Sequence, residues 1–153
     1  FSIALGYVDA RFRETVQSLP ANGVGATILT AGSRIPYIPW GSAKIAAEYE
    51  HRSGRLKGFC RIGLLASGDF VRAPGRRAQS YVAETFQGPA YATVDASIGL
   101  RSDRWRITLF VDNATDARPI LHNSADLVPV SRTPLRQASL TPRTIGIRLS
   151  QRF

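Results

Sequence analysis

YATVDASIGLRSDRWRITLFVDNATD, residues 91–116, alternates in character residue by residue. Successive side chains of an extended strand point to opposite sides, so Ala92, Val94, Ala96, Ile98 and Leu100 share one face. Thr93, Asp95, Ser97, Gly99 and Arg101 share the other. After Ser102-Asp103 the pattern restarts, with Trp105, Ile107, Leu109 and Val111 against Arg104, Arg106, Thr108 and Asp112. This is the signature of a β-hairpin with a very short turn. One face is continuously apolar over both strands; on the other, Phe110 is the large exception. The fold depends on what covers the apolar face, a second layer of protein or lipid.

Outward from this hairpin, the same alternation recurs. Residues 2–13 set Ile3, Leu5 and Tyr7 against Ser2, Ala4 and Gly6, and turn polar at Asp9. Residues 41–51 place Ala43, Ile45, Ala47 and Tyr49 opposite Lys44, Glu48 and Glu50; AKIAAEYEHR also holds good helix formers, so a helix is the alternative there. The turn signal His51-Arg52-Ser53-Gly54 and the alternating run directly after it favour a strand. That run, residues 55–70, has Leu56, Gly58, Cys60, Ile62, Leu64 and Ala66 on one side. Lys57, Arg61, Gly63 and Ser67 lie on the other, interrupted by Phe59 and Leu65. A last strand, residues 141–153, carries Ile145, Ile147, Leu149 and Phe153 opposite Thr144, Arg148, Ser150 and Arg152. Residues 15–39, 71–89 and 117–140 are rich in Gly, Pro and polar residues and are expected as long loops.

Six expected strands are thus joined in the order long, short, long, short, long. An up-and-down arrangement puts every long loop at one end and both tight turns at the other, the asymmetry of outer-membrane β-barrels. Spans of about ten to fourteen residues exceed the usual five or six and suit tilted strands in a bilayer. Trp105 and Tyr49 flank the tight turns, where an inner aromatic girdle is expected, and Tyr7 and Phe70 are the expected outer markers. Lys57, Arg61, Arg106, Arg148, Glu48 and Asp95 all fall opposite the aliphatic residues. A basic residue facing lipid would cost about 2–4 kcal/mol. The alternative is a soluble antiparallel sheet with one solvated face, but no segment offers a convincing amphipathic helix or second sheet to cover the first.

Length and composition bound the remaining possibilities. The chain has 153 residues, enough for one domain, and Lys plus Arg outnumber Asp plus Glu by 20 to 11. A pI near 10.8 admits nucleic acid, anionic lipid or an anionic small ligand as partner. The single Cys60 allows no intrachain disulfide and reads as a small hydrophobe. The chain begins at Phe1 and contains no Met, so it is expected to be a processed chain or a fragment. No apolar run reaches the roughly 20 residues of a membrane helix, which leaves membrane barrels untouched. An enzyme is not expected. His51 and His122 fall at opposite ends, and no nucleophile elbow or phosphate loop is present. No cofactor or metal is expected; His122 with Asp126 makes only a weak metal pair. Asn113-Ala114-Thr115 matches a glycosylation sequon, but Asn113 is better read as stabilising the strand-to-loop turn.

The order of these elements resembles the C-terminal part of the β-barrel of TonB-dependent outer-membrane receptors. SIALGYVDARFR followed by GSRIPYIPWGSAKIAAEYEHR is similar to the family's late strand, loop and return into the barrel, with Gly32, Ile35, Pro36, Ile38 and Pro39 at the characteristic places. The hairpin of residues 91–116 resembles the penultimate hairpin, closing in Asn113-Ala114-Thr115-Asp116. TPRTIGIRLSQRF resembles the closing strand that ends on an aromatic residue. Gln151 and Arg118-Pro119 stand where the family usually has aromatics.

The resemblance covers essentially residues 1–153 and implies an all-β, antiparallel up-and-down transmembrane barrel. This chain would supply about six C-terminal strands with long outer loops and short inner turns. It implies import across the outer membrane of a Gram-negative bacterium of a scarce substrate such as a ferric siderophore. The remaining barrel, a plug domain absent from this sequence, the TonB complex, outer-membrane lipid and lipopolysaccharide, and the barrel-assembly machinery would be partners; nucleic acid would not. Phe153 would serve as the barrel-assembly signal. Arg72, Arg76, Arg77, Arg132 and Arg136, on expected outer loops, would attract an anionic ferric chelate, against the plainer reading of lipopolysaccharide contact or solvated charge. The alternatives are a plugless outer-membrane pore and a soluble β-barrel or sandwich that binds an acidic partner.

Overall fold

The computed structural model describes residues 1–18, 26–76, 86–123 and 137–152. In chain order the strands are β1 (Ser2–Tyr7), β2 (Val16–Ser18), β3 (Ala26–Leu29), β4 (Gly41–Ser53), β5 (Leu56–Ser67), β6 (Phe70–Val71), β7 (Gln87–Gly88), β8 (Tyr91–Arg101), β9 (Trp105–Asp112), β10 (Ile120–Asn123), β11 (Gln137–Ser139) and β12 (Thr144–Gln151). Six form one antiparallel sheet in the order β1-β4-β5-β8-β9-β12, each next to the strand that precedes it in this series. The segment with helix-forming residues is strand β4 over all of its 13 residues. Pairing to β5 from Ser42 to Ser53, with β1 added on the other side from Gly41 to Ala46, overrides local helix propensity.

The expected strands and connections need correction in three places. Strand lengths are uneven: β4, β5 and β8 have 13, 12 and 11 residues, whereas β1 has 6 and β9 and β12 have 8 each. The long connections are not plain loops, because they contain the small antiparallel pairs β2–β3, β6–β7 and β10–β11. Finally, Arg104 belongs to the second tight turn rather than to β9, since the Ser102 hydroxyl accepts from the amides of Arg104 and Trp105 and the Ser102 amide donates to the Trp105 carbonyl.

The first tight turn has only Gly54 and Arg55 between the paired Ser53 and Leu56. Gly54 takes φ +60° while Arg55 stays at negative φ, the arrangement of a type II′ hairpin with Gly first. Both tight turns lie at one end of the sheet, and the β2–β3, β6–β7 and β10–β11 pairs belong to the connections at the other.

Register converts alternation into two continuous faces. Tyr49, Cys60, Ile98, Leu109 and Ile147 are successive cross-strand neighbours from β4 to β12, and Ala47, Ile62, Ala96, Val111 and Ile145 form the next row. On the reverse side the rows are Glu48, Arg61, Ser97, Phe110, Gly146 and Glu50, Phe59, Gly99, Thr108, Arg148. Among the described residues, no second layer covers the apolar rows. Ile62 is 51% exposed, Ile147 69% and Leu149 71%, while the buried apolar residues among those described are Phe59, Phe70, Val71 and Ala73.

Candidate functional site

The functional geometry of this chain is a sheet with two unlike faces and a packed rim, and each part follows from particular residues.

On the charged face, two phenylalanines that break the sequence alternation are explained by glycines on the neighbouring strand. Phe59 lies over Gly99, where a Cβ would stand 2.6 Å from the ring, and Phe110 lies over Gly146, where it would stand 2.7 Å away. Each ring is then covered by an arginine: Arg106 Cζ is 4.3 Å from the Phe59 centroid and Arg148 Cζ 5.1 Å from that of Phe110. Phe59 is buried in this way on a face that is otherwise polar. Ion pairs run along the same face, Arg61 to Glu48 at 2.8 Å and Arg101 to Glu50 at 3.2 Å. The face forms a trough of about 740 Å³ with walls from all six strands of the sheet, from Ser2 in β1 to Arg148 in β12. It is fitted for water or polar protein.

The apolar face is bounded by aromatics at both ends. Tyr49 and Trp105 stand near the tight turns, 68% and 38% exposed. At the other end Tyr7 meets Trp40 edge to face, with centroids 6.5 Å apart, and the indole of Trp40 lies over Gly68. Phe70 is not an outer marker: it is buried, its ring over Gly88 and 6.0 Å from Tyr37, so Trp40 takes the place expected of it. The alternation pattern missed Trp40 because it precedes β4, where period-two reasoning has no register.

Beyond Trp40 lies a packed rim. Tyr37, at φ 63°, donates its amide to the Val71 carbonyl, and its ring lies 5.7 Å from that of His122. Arg34 pairs with Asp69 at 3.0 Å and also donates to the Asp69 carbonyl. The Asp69 carboxyl is thereby held below its usual range, chiefly by the Arg34 hydrogen bond.

Of the arginines expected to meet ligand, Arg72 is buried and donates to the carbonyls of Gln87 and Ile120, with its guanidinium 5.4 Å from the Phe70 ring. Arg76 is exposed. Arg77, Arg132, Arg136, Asp126 and Phe153 lie outside the described residues. His51 and His122 stand at opposite ends of the molecule, and among the described residues no three metal-ligating side chains gather.

A second knot, at Asn113, joins the hairpin to the closing strand. Its amide donates to Asp95 Oδ1 at 2.8 Å, and its side-chain nitrogen donates to the carbonyls of Ala117 and Thr141 at 3.0 and 2.8 Å. Its side-chain oxygen accepts from the Ala117 amide and the Thr115 hydroxyl. Asp116 accepts from the Arg143 amide and from Arg118. Its carboxyl is held below the usual range, first by the Arg143 N–H and then by Arg118.

No family model matches the chain, and no curated protein matches it. Among solved structures it is similar to the ferric yersiniabactin uptake receptor FyuA from Yersinia pestis, with a TM-score of 0.60 and 21% identity. The match covers 80% of this chain and 18% of that receptor, so the chain spans less than a fifth of the receptor it matches. The fold is all-β and antiparallel, a sheet similar in fold to part of that receptor and open at β1 and β12.

Proposed function

We propose that this chain is a wall segment of a TonB-dependent receptor in a bacterial outer membrane, with a transport rather than an enzymatic role. The observation that carries this reading is the apolar face that none of the described residues covers, bounded by Tyr49 and Trp105 at one end and Tyr7 and Trp40 at the other. In water, each such Ile or Leu would forgo about 1.5–3 kcal/mol of burial; lipid removes that penalty without a second layer. The two edges of the sheet, β1 and β12, pair with further strands of the barrel, because a bilayer tolerates no open edge. A plug fills the trough, the TonB complex drives uptake through that plug, and a ferric chelate of the siderophore class is the substrate, as the likeness to an iron-chelate uptake receptor suggests. Lipopolysaccharide is the outer neighbour, the exposed Arg76 meets anionic groups there, and Phe153 is read by the barrel-assembly machinery.

Fractionation tests the reading. The protein is expected to stay with membranes through high salt and alkaline washing and to leave them only in detergent. A soluble, monodisperse monomer without detergent overturns it and favours a sheet that docks on another protein.

A further inference from the structure

At the tight-turn end of the charged face, four cations occupy one row. Arg52, Lys57, Arg101 and Arg106 stand directly opposite one another across β4, β5, β8 and β9. Lys57, Arg101 and Arg106 of this row, with Arg55 and Arg104 from the two turns and Arg152 beyond β12, line a basin of about 680 Å³ in which Asp103 is the one acidic lining residue. Like charges directly opposite in a sheet repel, so this row needs opposite charge. The sheet supplies little of it: Glu50 serves Arg101 at 3.2 Å, and Arg106 rests on the Phe59 ring. Among the described residues, Arg55, Lys57, Arg104 and Arg152 have no carboxylate within salt-bridge distance.

We propose that this row docks an acidic polypeptide segment lying across the sheet at its turn end; the proposal rests on reading the charged face as the lining of a lumen. The chemistry of the occupant follows from dimensions and position. Strands lie about 4.8 Å apart, so a row over four strands is about 14 Å long. An extended segment advances about 6.7 Å every second residue, so carboxylates at three alternating positions span about 13 Å and match it. A single phosphate bridges only one interstrand gap. A lipid headgroup is held to the opposite, apolar side of the sheet.

The test uses the full-length protein that carries this chain, in zwitterionic detergent without added lipid. A carbodiimide joins amines to carboxylates in contact with them, and Lys57 is one of only two lysines here, the other being Lys44. The expected product joins Lys57 to an Asp or Glu of a segment outside the sheet. In parallel, Lys57→Gln with Arg104→Gln is expected to lower the unfolding temperature by a few degrees and to flatten its fall with added salt. If the variant instead raises the unfolding temperature, relief of repulsion is the whole effect and the proposal is overturned. Salt-sensitive stability with Lys57 uncoupled, or coupled only to Glu50 or Asp103, identifies a small bound anion and also overturns it. A protein that needs no detergent refutes the membrane reading instead, a separate result.

Discussion

Asn113 is the residue that ties the hairpin to the segment leading into β12, at the end of the sheet opposite the tight turns. It is buried, stands at φ 51°, and uses both its side-chain nitrogen and oxygen, so only a short amide side chain serves there. Asn113→Ala leaves the Ala117 amide and two carbonyls unpaired and is expected to cost about 1–3 kcal/mol. Asn113→Asp keeps the acceptor but turns a carboxylate oxygen toward the carbonyls of Ala117 and Thr141, and a similar loss is expected. Denaturant unfolding in detergent micelles measures both. Asp116 adds a pH dependence. Its carboxyl titrates lower in the folded state than in the unfolded one, so its stabilising contribution is complete above the unfolded value near 3.8 and is lost as pH falls through the depressed folded value. Between pH 6 and pH 3 the wild type is expected to lose thermal stability by this route, and Asp116→Asn to lack that component.

At the scale of elements, the glycines set how closely strands carry their aromatics. A Cβ on Gly99 would collide with the Ile107 carbonyl oxygen as well as stand 2.6 Å from Phe59, and a backbone atom of a paired strand cannot swing aside. At Gly146 the nearest atoms belong only to the Phe110 ring, which can. Gly99→Ala is therefore expected to destabilise the sheet clearly more than Gly146→Ala, as unfolding midpoints compared in one detergent will show. The two faces also differ in what charge they accept. Ile62→Arg sets a cation in the middle of the apolar face and is expected to reduce folding into lipid vesicles by about 2–4 kcal/mol, while Ser97→Arg on the reverse face has little effect. Equal tolerance at the two positions would contradict a lipid-facing surface.

For the whole molecule, the segregation of connections predicts its orientation. The tight turns at Gly54 and Asp103 share one end, and the packed rim of Tyr37, Phe70 and Arg72 is at the other. In a Cys60→Ser background, Arg76→Cys is expected to react with a membrane-impermeant thiol reagent on intact cells. Gly54→Cys and Asp103→Cys are expected to react only after the outer membrane is opened. The reverse pattern would invert the placement of the long connections.

Strand positions, their alternation and the long-short order of connections were legible in the sequence by itself, because period-two patterning and turn residues are local properties. From those alone came the two faces, the tight turns and the assignment of Asn113 to the strand-to-loop turn. What only the tertiary structure decided depends on cross-strand register, which brings together residues far apart in the chain. Register sets Phe59 over Gly99 and Phe110 over Gly146, turning two breaks in the pattern into packing features. It also buries Phe70 and Arg72 in the rim, brings Trp40 beside Tyr7, and aligns Arg52, Lys57, Arg101 and Arg106. None of these contacts leaves a local trace, since each is made by a partner on another strand.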